Sequence, residues 1–116
     1  MPSAGPVSIL LVDDRPENLV SLEAILRAPE HRLVTAKSGD DALKAVLREE
    51  FAVIVLDVVM PEMSGFEVAD HLKRLERTRR IPIIFLTGLA TDVQEIYRAY
   101  SVGAVDYLIK PLEPIV

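Results

Sequence analysis

The chain contains no cysteine, so disulfides, thiolate metal sites and a cysteine nucleophile are all excluded, and the redox compartment stays open on that count. Long hydrophobic runs are missing too: stretches such as Val53–Leu56 fall far short of the roughly 18–20 residues needed to cross a bilayer. Cations are the minority, 13 Lys and Arg against 18 Asp and Glu, for a formal charge of −5. That acidic balance argues against direct nucleic-acid binding, which draws its affinity from cations that displace phosphate counterions. The opening Met1-Pro2-Ser3-Ala4-Gly5-Pro6 has neither a basic region nor a hydrophobic segment, so it does not read as a secretory signal. A cytoplasmic location without membrane binding is the expectation. What is present suits one globular domain: 116 residues, 50% apolar and 27% charged, enough for a core and unlike a disordered chain.

Short apolar runs of strand length alternate with longer amphipathic stretches. The strands are expected at Ser8–Val12, Arg32–Ala36, Val53–Leu56, Ile83–Leu86 and Asp106–Ile109. The first, third and fourth are nearly continuous in Ile, Leu, Val and Phe, as strands covered on both faces require, and the outer two are more mixed. Between them, apolar residues recur at helical spacing: Leu19, Leu22, Ile25 and Leu26, then Leu43, Val46 and Leu47, then Val68, Leu72 and Leu75, then Val93, Ile96, Tyr97 and Tyr100. Helix starts are marked by Ser38-x-x-Asp41, Ser64-x-x-Glu67, Thr91-x-x-Gln94 and, with Pro16 in the first turn, Asp14-x-x-Glu17. Gly103 stands where the fourth helix needs a left-handed stop. This alternation implies an α/β fold with a parallel sheet and helices on both faces.

In open α/β sheets ligands bind beyond the carboxyl ends of the strands, so the residues that close each strand matter most. The first strand runs into Asp13 and Asp14, the third into Asp57, the fourth into Thr87 and the fifth into Lys110. With a strand order of 2-1-3-4-5, the first and third strands are neighbours and three carboxylates gather at one point. Such a cluster needs a retained proton or a cation, and hard oxygen ligands with open water positions suit Mg²⁺. A carboxylate acceptor, a divalent ion, an ammonium and a hydroxyl together form a phosphoryl-transfer constellation, with Asp57 as the nucleophile that becomes an acyl phosphate.

Five ordered segments carry a family resemblance. They are Leu11-Val12-Asp13-Asp14; Ala36-x-x-Gly39-x-x-Ala42-Leu43; Leu56-Asp57-x-x-Met60-Pro61-x-Met63-x-Gly65-x-Glu67; Ile84-Phe85-Leu86-Thr87-Gly88; and Gly103-Ala104-x-Asp106-Tyr107-Leu108-x-Lys110-Pro111. From Ile9 to Leu112 the chain resembles the receiver domain of bacterial two-component response regulators. The resemblance implies a doubly wound, flavodoxin-like (βα)5 fold and supports the 2-1-3-4-5 order. It implies that Asp57 accepts a phosphoryl group from a histidine of a partner kinase or phosphotransfer protein. Asp14, Asp57 and the backbone carbonyl of Val59 would ligate Mg²⁺, with Asp13 helping through water. Thr87 and Lys110 would bind the phosphoryl oxygens, and Tyr107 would be the switch aromatic that moves as Thr87 is drawn in. Readout to an output domain or partner protein would run through the fourth helix and fifth strand, with a homodimer as a further option. Such a domain catalyses its own Mg²⁺-dependent phosphorylation and slow autodephosphorylation rather than acting as a dedicated enzyme. Val59 and Leu89, two residues after the acceptor and after Thr87, are both apolar, which in this family goes with slow loss of the phosphoryl group.

Competing readings are weaker. Dehalogenase-type phosphatases place a second Asp two residues after the nucleophile, where this chain has Val59. A nucleotide or flavin site needs a Gly- or Ser/Thr-rich loop after the first strand, where this chain has Asp13 and Asp14. A pseudo-receiver that works as a phosphorylation-independent interaction module is the alternative kept open. His31, expected in a loop, and His71, within the third helix, have no His or Cys partner for a metal site. The Arg74–Arg80 segment reads as a solvated helix end. Residues 1–7 are expected to be a flexible segment and 8–116 the receiver domain. The family's fifth helix has no counterpart before Val116, so the sequence reads as a fragment of a longer protein.

Overall fold

The computed structural model describes the backbone of residues 5–87 and 106–109 and the side chains of residues 5–86. Five parallel strands form one sheet in the order β2-β1-β3-β4-β5. They are β1 (Val7–Val12), β2 (His31–Ala36), β3 (Val53–Asp57), β4 (Ile83–Thr87) and β5 (Asp106–Ile109). Three described helices link the first four strands: α1 (Pro16–Leu26), α2 (Gly39–Arg48) and α3 (Gly65–Arg74). Strand periodicity splits the apolar side chains between two faces. Leu10, Val12, Ile54, Leu56, Ile83 and Phe85 pack with Val46 of α2 and with Phe66, Val68 and Leu72 of α3. Ile9, Leu11, Val55 and Leu86 point the other way, against Leu19 and Leu22 of α1. Phe66 and Phe85 meet at the centre of the larger cluster, ring centroids 5.0 Å apart and tilted by 59°.

Two helix starts follow the sequence reading. Ser38 accepts the Asp41 N–H at 3.0 Å. At α3 the capping box is complete: the Ser64 hydroxyl accepts the Glu67 N–H, and the Glu67 carboxylate accepts the Ser64 N–H, both at 3.2 Å. Ser64→Ala is expected to cost about 1 kcal/mol, seen as a lower urea midpoint with an unchanged slope.

Other expectations need correction. Asp14 does not cap α1; the cap position is Arg15, without a side-chain cap bond, and Pro16 opens the helix. Asp13 supplies the nearby acceptor instead, its Oδ1 taking the Arg15 N–H at 3.0 Å. Leu47 is 67% exposed, and Ile25 and Leu75 are also exposed, Leu75 lying just past the end of α3. On α2 the small Ala42 and Ala45 face the core beside Val46, because a helix lying close on a sheet has little room for larger side chains. His31 is the first residue of β2, its Nδ1 2.6 Å from the Leu26 carbonyl oxygen. β1 starts at Val7, which pairs with His31. Arg77, Arg79 and Arg80 lie beyond the helix, which stops at Arg74. The fourth apolar stripe, the Thr91 cap and Gly103 lie outside the described residues.

On the far edge, Arg32 of β2 donates through Nε and Nη2 to the two carboxylate oxygens of Glu49 at 3.1 and 3.0 Å, and the Ser8 hydroxyl joins at 3.3 Å. The hydrogen bond from Arg32 holds the Glu49 carboxyl below its ordinary range. This fork ties the end of α2 to β1 and β2.

Candidate functional site

Sheet register builds the site. Val12 of β1 lies opposite Leu56 of β3, so the next residues, Asp13 and Asp57, stand side by side at the carboxyl edge. The ladder continues through both: the Asp13 N–H donates to Ala36 at 3.1 Å, and the Val58 N–H donates to Leu86 at 3.0 Å. Asp57 is therefore the last residue of β3 rather than the first residue of a loop. Asp14 follows at once, and Asp13, Asp14 and Asp57 bring one carboxylate oxygen each to within 4.8 Å of one another. Asp13 and Asp57 are 0% and 1% exposed, and Asp14 is half-buried.

Three carboxylates at this spacing repel. At an effective dielectric of about 20 each pair of unit charges costs roughly 3–4 kcal/mol, and burial adds a desolvation cost. A hard divalent cation answers both costs, and a set of oxygen donors with one member open to water is the coordination Mg²⁺ takes. The residues present fit such an ion.

The loop after Asp57 is held tightly. Gly65, the first residue of α3, donates its N–H to the Val58 carbonyl at 2.8 Å and closes the loop at its neck. A Cβ built on Gly65 would stand 2.1 Å from the Asp57 carbonyl oxygen and 3.0 Å from the Val58 Cα, so any side chain at position 65 forces the backbone to shift. Within the loop, the Met63 N–H reaches the Pro61 carbonyl at 2.7 Å around Glu62, whose φ of 68° is a left-handed conformation unusual for a non-glycine residue. Met60 is buried in the larger core, while the Val59 side chain, two residues after Asp57, is 70% exposed.

The other expected site residues are placed unevenly. Thr87 closes β4, where its neighbour Leu86 pairs with Asp57, so its backbone reaches the same sheet edge. Like Asp57, Thr87 is inside its strand rather than after it. Tyr107 lies in β5 opposite Phe85. Lys110 and Leu89 lie outside the described residues. The contact between Gly65 and Asp57 escaped the sequence reading; the available signal was a glycine inside a capping box, where it weakens the helix it begins.

A family model described as response regulator receiver domain matches residues 9–115. A probable cyclic di-GMP phosphodiesterase of Vibrio cholerae is 39% identical over 97% of this chain and 25% of its own length. The chain thus spans about a quarter of that relative. The solved structure of the V. cholerae chemotaxis protein CheY4 superposes with a TM-score of 0.87 at 30% identity, covering 95% of this chain and 91% of that one. The receiver domain of sensor histidine kinase PA1611 from Pseudomonas aeruginosa, with magnesium coordinated in its active-site cleft, gives 0.82 at 31% identity, covering 94% and 88%.

Proposed function

Because the chain belongs to the response regulator receiver domain family, we propose that it is a phosphorylation-controlled switch of a two-component system with Asp57 as the phosphoryl acceptor. The observation that carries this reading is the trio of Asp13, Asp14 and Asp57 at the carboxyl edge of a parallel sheet, with Asp57 buried at its base.

A carboxylate oxygen of Asp57 attacks phosphorus on a donor phosphohistidine. The new P–O bond forms as the P–N bond breaks, and the donor imidazole leaves with the electron pair. Burial of Asp57 keeps bulk water from competing with it. Asp13, Asp14, Asp57 and the Val59 carbonyl would hold Mg²⁺, which supplies positive charge against the phosphoryl oxygens when bound; the magnesium in the PA1611 receiver supports this assignment. Thr87 and Lys110 bind the phosphoryl oxygens, and Tyr107 reports the change to an output surface formed by β5 and the segment before it. The partners are a histidine kinase or phosphotransfer protein upstream and an output domain or protein downstream, in the cytoplasm. Phosphorylation shifts the conformational equilibrium only as far as it favours one state over the other.

The test is intact-protein mass after incubation with Mg²⁺ and acetyl phosphate. The expected result is a gain of one phosphoryl group that is suppressed by EDTA. No gain in Mg²⁺ would overturn the switch in favour of a phosphorylation-independent interaction module.

A further inference from the structure

The connection from α3 to β4 concentrates charge of the minority sign. Residues 73–80 hold Lys73, Arg74, Arg77, Arg79 and Arg80 against Glu76, a net +4, which leaves −9 on the rest of a chain whose total is −5. Arg74, Arg77, Arg79 and Arg80 are all exposed, and none forms an ion pair with another described residue, Glu76 and the nearby Asp70 included.

The loop beneath them is rigidly built. Thr78, 1% exposed, donates its hydroxyl to the Leu72 carbonyl at 2.7 Å. The Thr78 and Arg79 N–H groups both donate to the Leu75 carbonyl, at 3.1 and 2.9 Å, and the Ile81 N–H donates to Thr78 at 3.1 Å. Lys73 turns its ammonium inward to the carbonyls of Arg79 and Ile81, at 3.0 and 3.3 Å, although partial burial pulls its pKa down. One cation and one buried hydroxyl thus order a loop that displays four arginines without an ion pair among the described residues. An ordered backbone lowers the entropy cost of binding, and planar guanidinium groups match carboxylate geometry.

We propose that this arginine loop is a docking surface for an acidic polypeptide segment, a run of Asp and Glu on a partner protein. Neither of two grooves among the described residues, one beside β2 and one at Pro61–Met63, includes any of the four arginines, and their exposed guanidinium groups suit a line of carboxylates. Duplex DNA or an anionic membrane would extend past the loop to the exposed Glu30 and Glu50 at the same amino-terminal edge of the sheet, whereas screening over about 8 Å at physiological salt leaves a short segment seeing mainly the loop. The loop precedes β4, whose five residues put it about 16 Å from the strand's carboxyl end. A segment held there leaves the acidic cluster open to its phosphoryl donor.

The experiment measures fluorescence anisotropy of a labelled oligoglutamate titrated with the chain at low and high salt. The triple variant Arg77→Glu, Arg79→Glu, Arg80→Glu is expected to bind about tenfold more weakly or worse. A charge-matched variant, Lys37→Glu, Lys44→Glu, Arg48→Glu, in the groove beside β2, is expected to bind as the wild type does. Unfolding midpoints establish that both variants fold, and a milder Arg→Gln triple at the same loop positions stands in if the first does not. Equal binding by the loop variant overturns the proposal, as does equal loss in the groove variant. Tighter binding of the wild type to phosphatidylserine vesicles or duplex DNA than to oligoglutamate also overturns it.

Discussion

In Asp57→Asn, no phosphoryl group is expected to be gained from acetyl phosphate under conditions where the wild type gains one. The substitution keeps shape and volume at a position that is 1% exposed, so the core around β3 has no reason to rearrange. What it removes is the anionic oxygen, and a neutral amide does not attack phosphorus at a useful rate. The acidic cluster also falls from three carboxylates to two. A ligand that binds only the folded state stabilises it by about 2.7 kcal/mol at a hundred times its dissociation constant. The wild type should therefore melt several degrees higher in saturating Mg²⁺ than in EDTA, and the variant should lose much of that difference. Intact mass and paired thermal melts check both. A variant phosphorylated as fully as the wild type would place the acceptor elsewhere.

Gly65→Ala should be the most damaging one-methyl change in the described chain. The added Cβ would meet the Asp57 carbonyl oxygen at 2.1 Å, the Asp57 carbonyl carbon at 2.9 Å and the Val58 Cα at 3.0 Å. All three are backbone atoms of the strand end, so no side chain can rotate aside. Either α3 backs away, breaking the bond from Gly65 to Val58, or the end of β3 moves and takes the acceptor with it. The expected cost is about 3 kcal/mol, the upper end of the usual range for overpacking, together with a phosphorylation rate at least tenfold lower. Gly39 is the informative contrast. A Cβ built there would meet Val68 Cγ2 at 2.7 Å and Met63 Sδ at 2.9 Å, both on side chains, and the flexible Met63 can yield. Gly39→Ala should cost clearly less, by urea denaturation of both variants.

The fold and the acidic trio were legible because each rests on local pattern. Apolar runs ending in Asp13 and Asp57 place both acids at the same edge of any parallel sheet, and β1–β3 pairing brings them together. Errors arose where a small offset decides the outcome. Asp14 stands one residue too early to cap a helix that begins at Pro16, and Asp13 takes the Arg15 N–H instead. Leu47 fits a helical stripe, but α2 turns Ala42 and Ala45 to the core because space against the sheet decides which side chains face inward. The close approach of Gly65 to Asp57 depends on where a seven-residue connection, residues 58–64, returns the chain in space. No periodicity encodes that. The order of the α3–β4 connection depends likewise on the buried hydroxyl of Thr78, a residue with no sequence pattern to mark it.

Every strand of the sheet runs the same way, so the molecule has two chemically unlike ends. The first turns of the three described helices carry Glu17, Asp40, Asp41 and Glu67, gathered at the edge that holds Asp13, Asp14 and Asp57. The last turns of α2 and α3 carry Arg48, Lys73 and Arg74, and the exposed arginines lie just beyond. Opposite charges separated along the strand axis make a permanent electric moment. A charged partner approaching within a screening length exerts a torque on that moment and turns the domain before the surfaces touch. Orientation then precedes contact: a cationic visitor is presented with the acidic end and an anionic one with the arginines, so the two encounters need not compete for the same collisions.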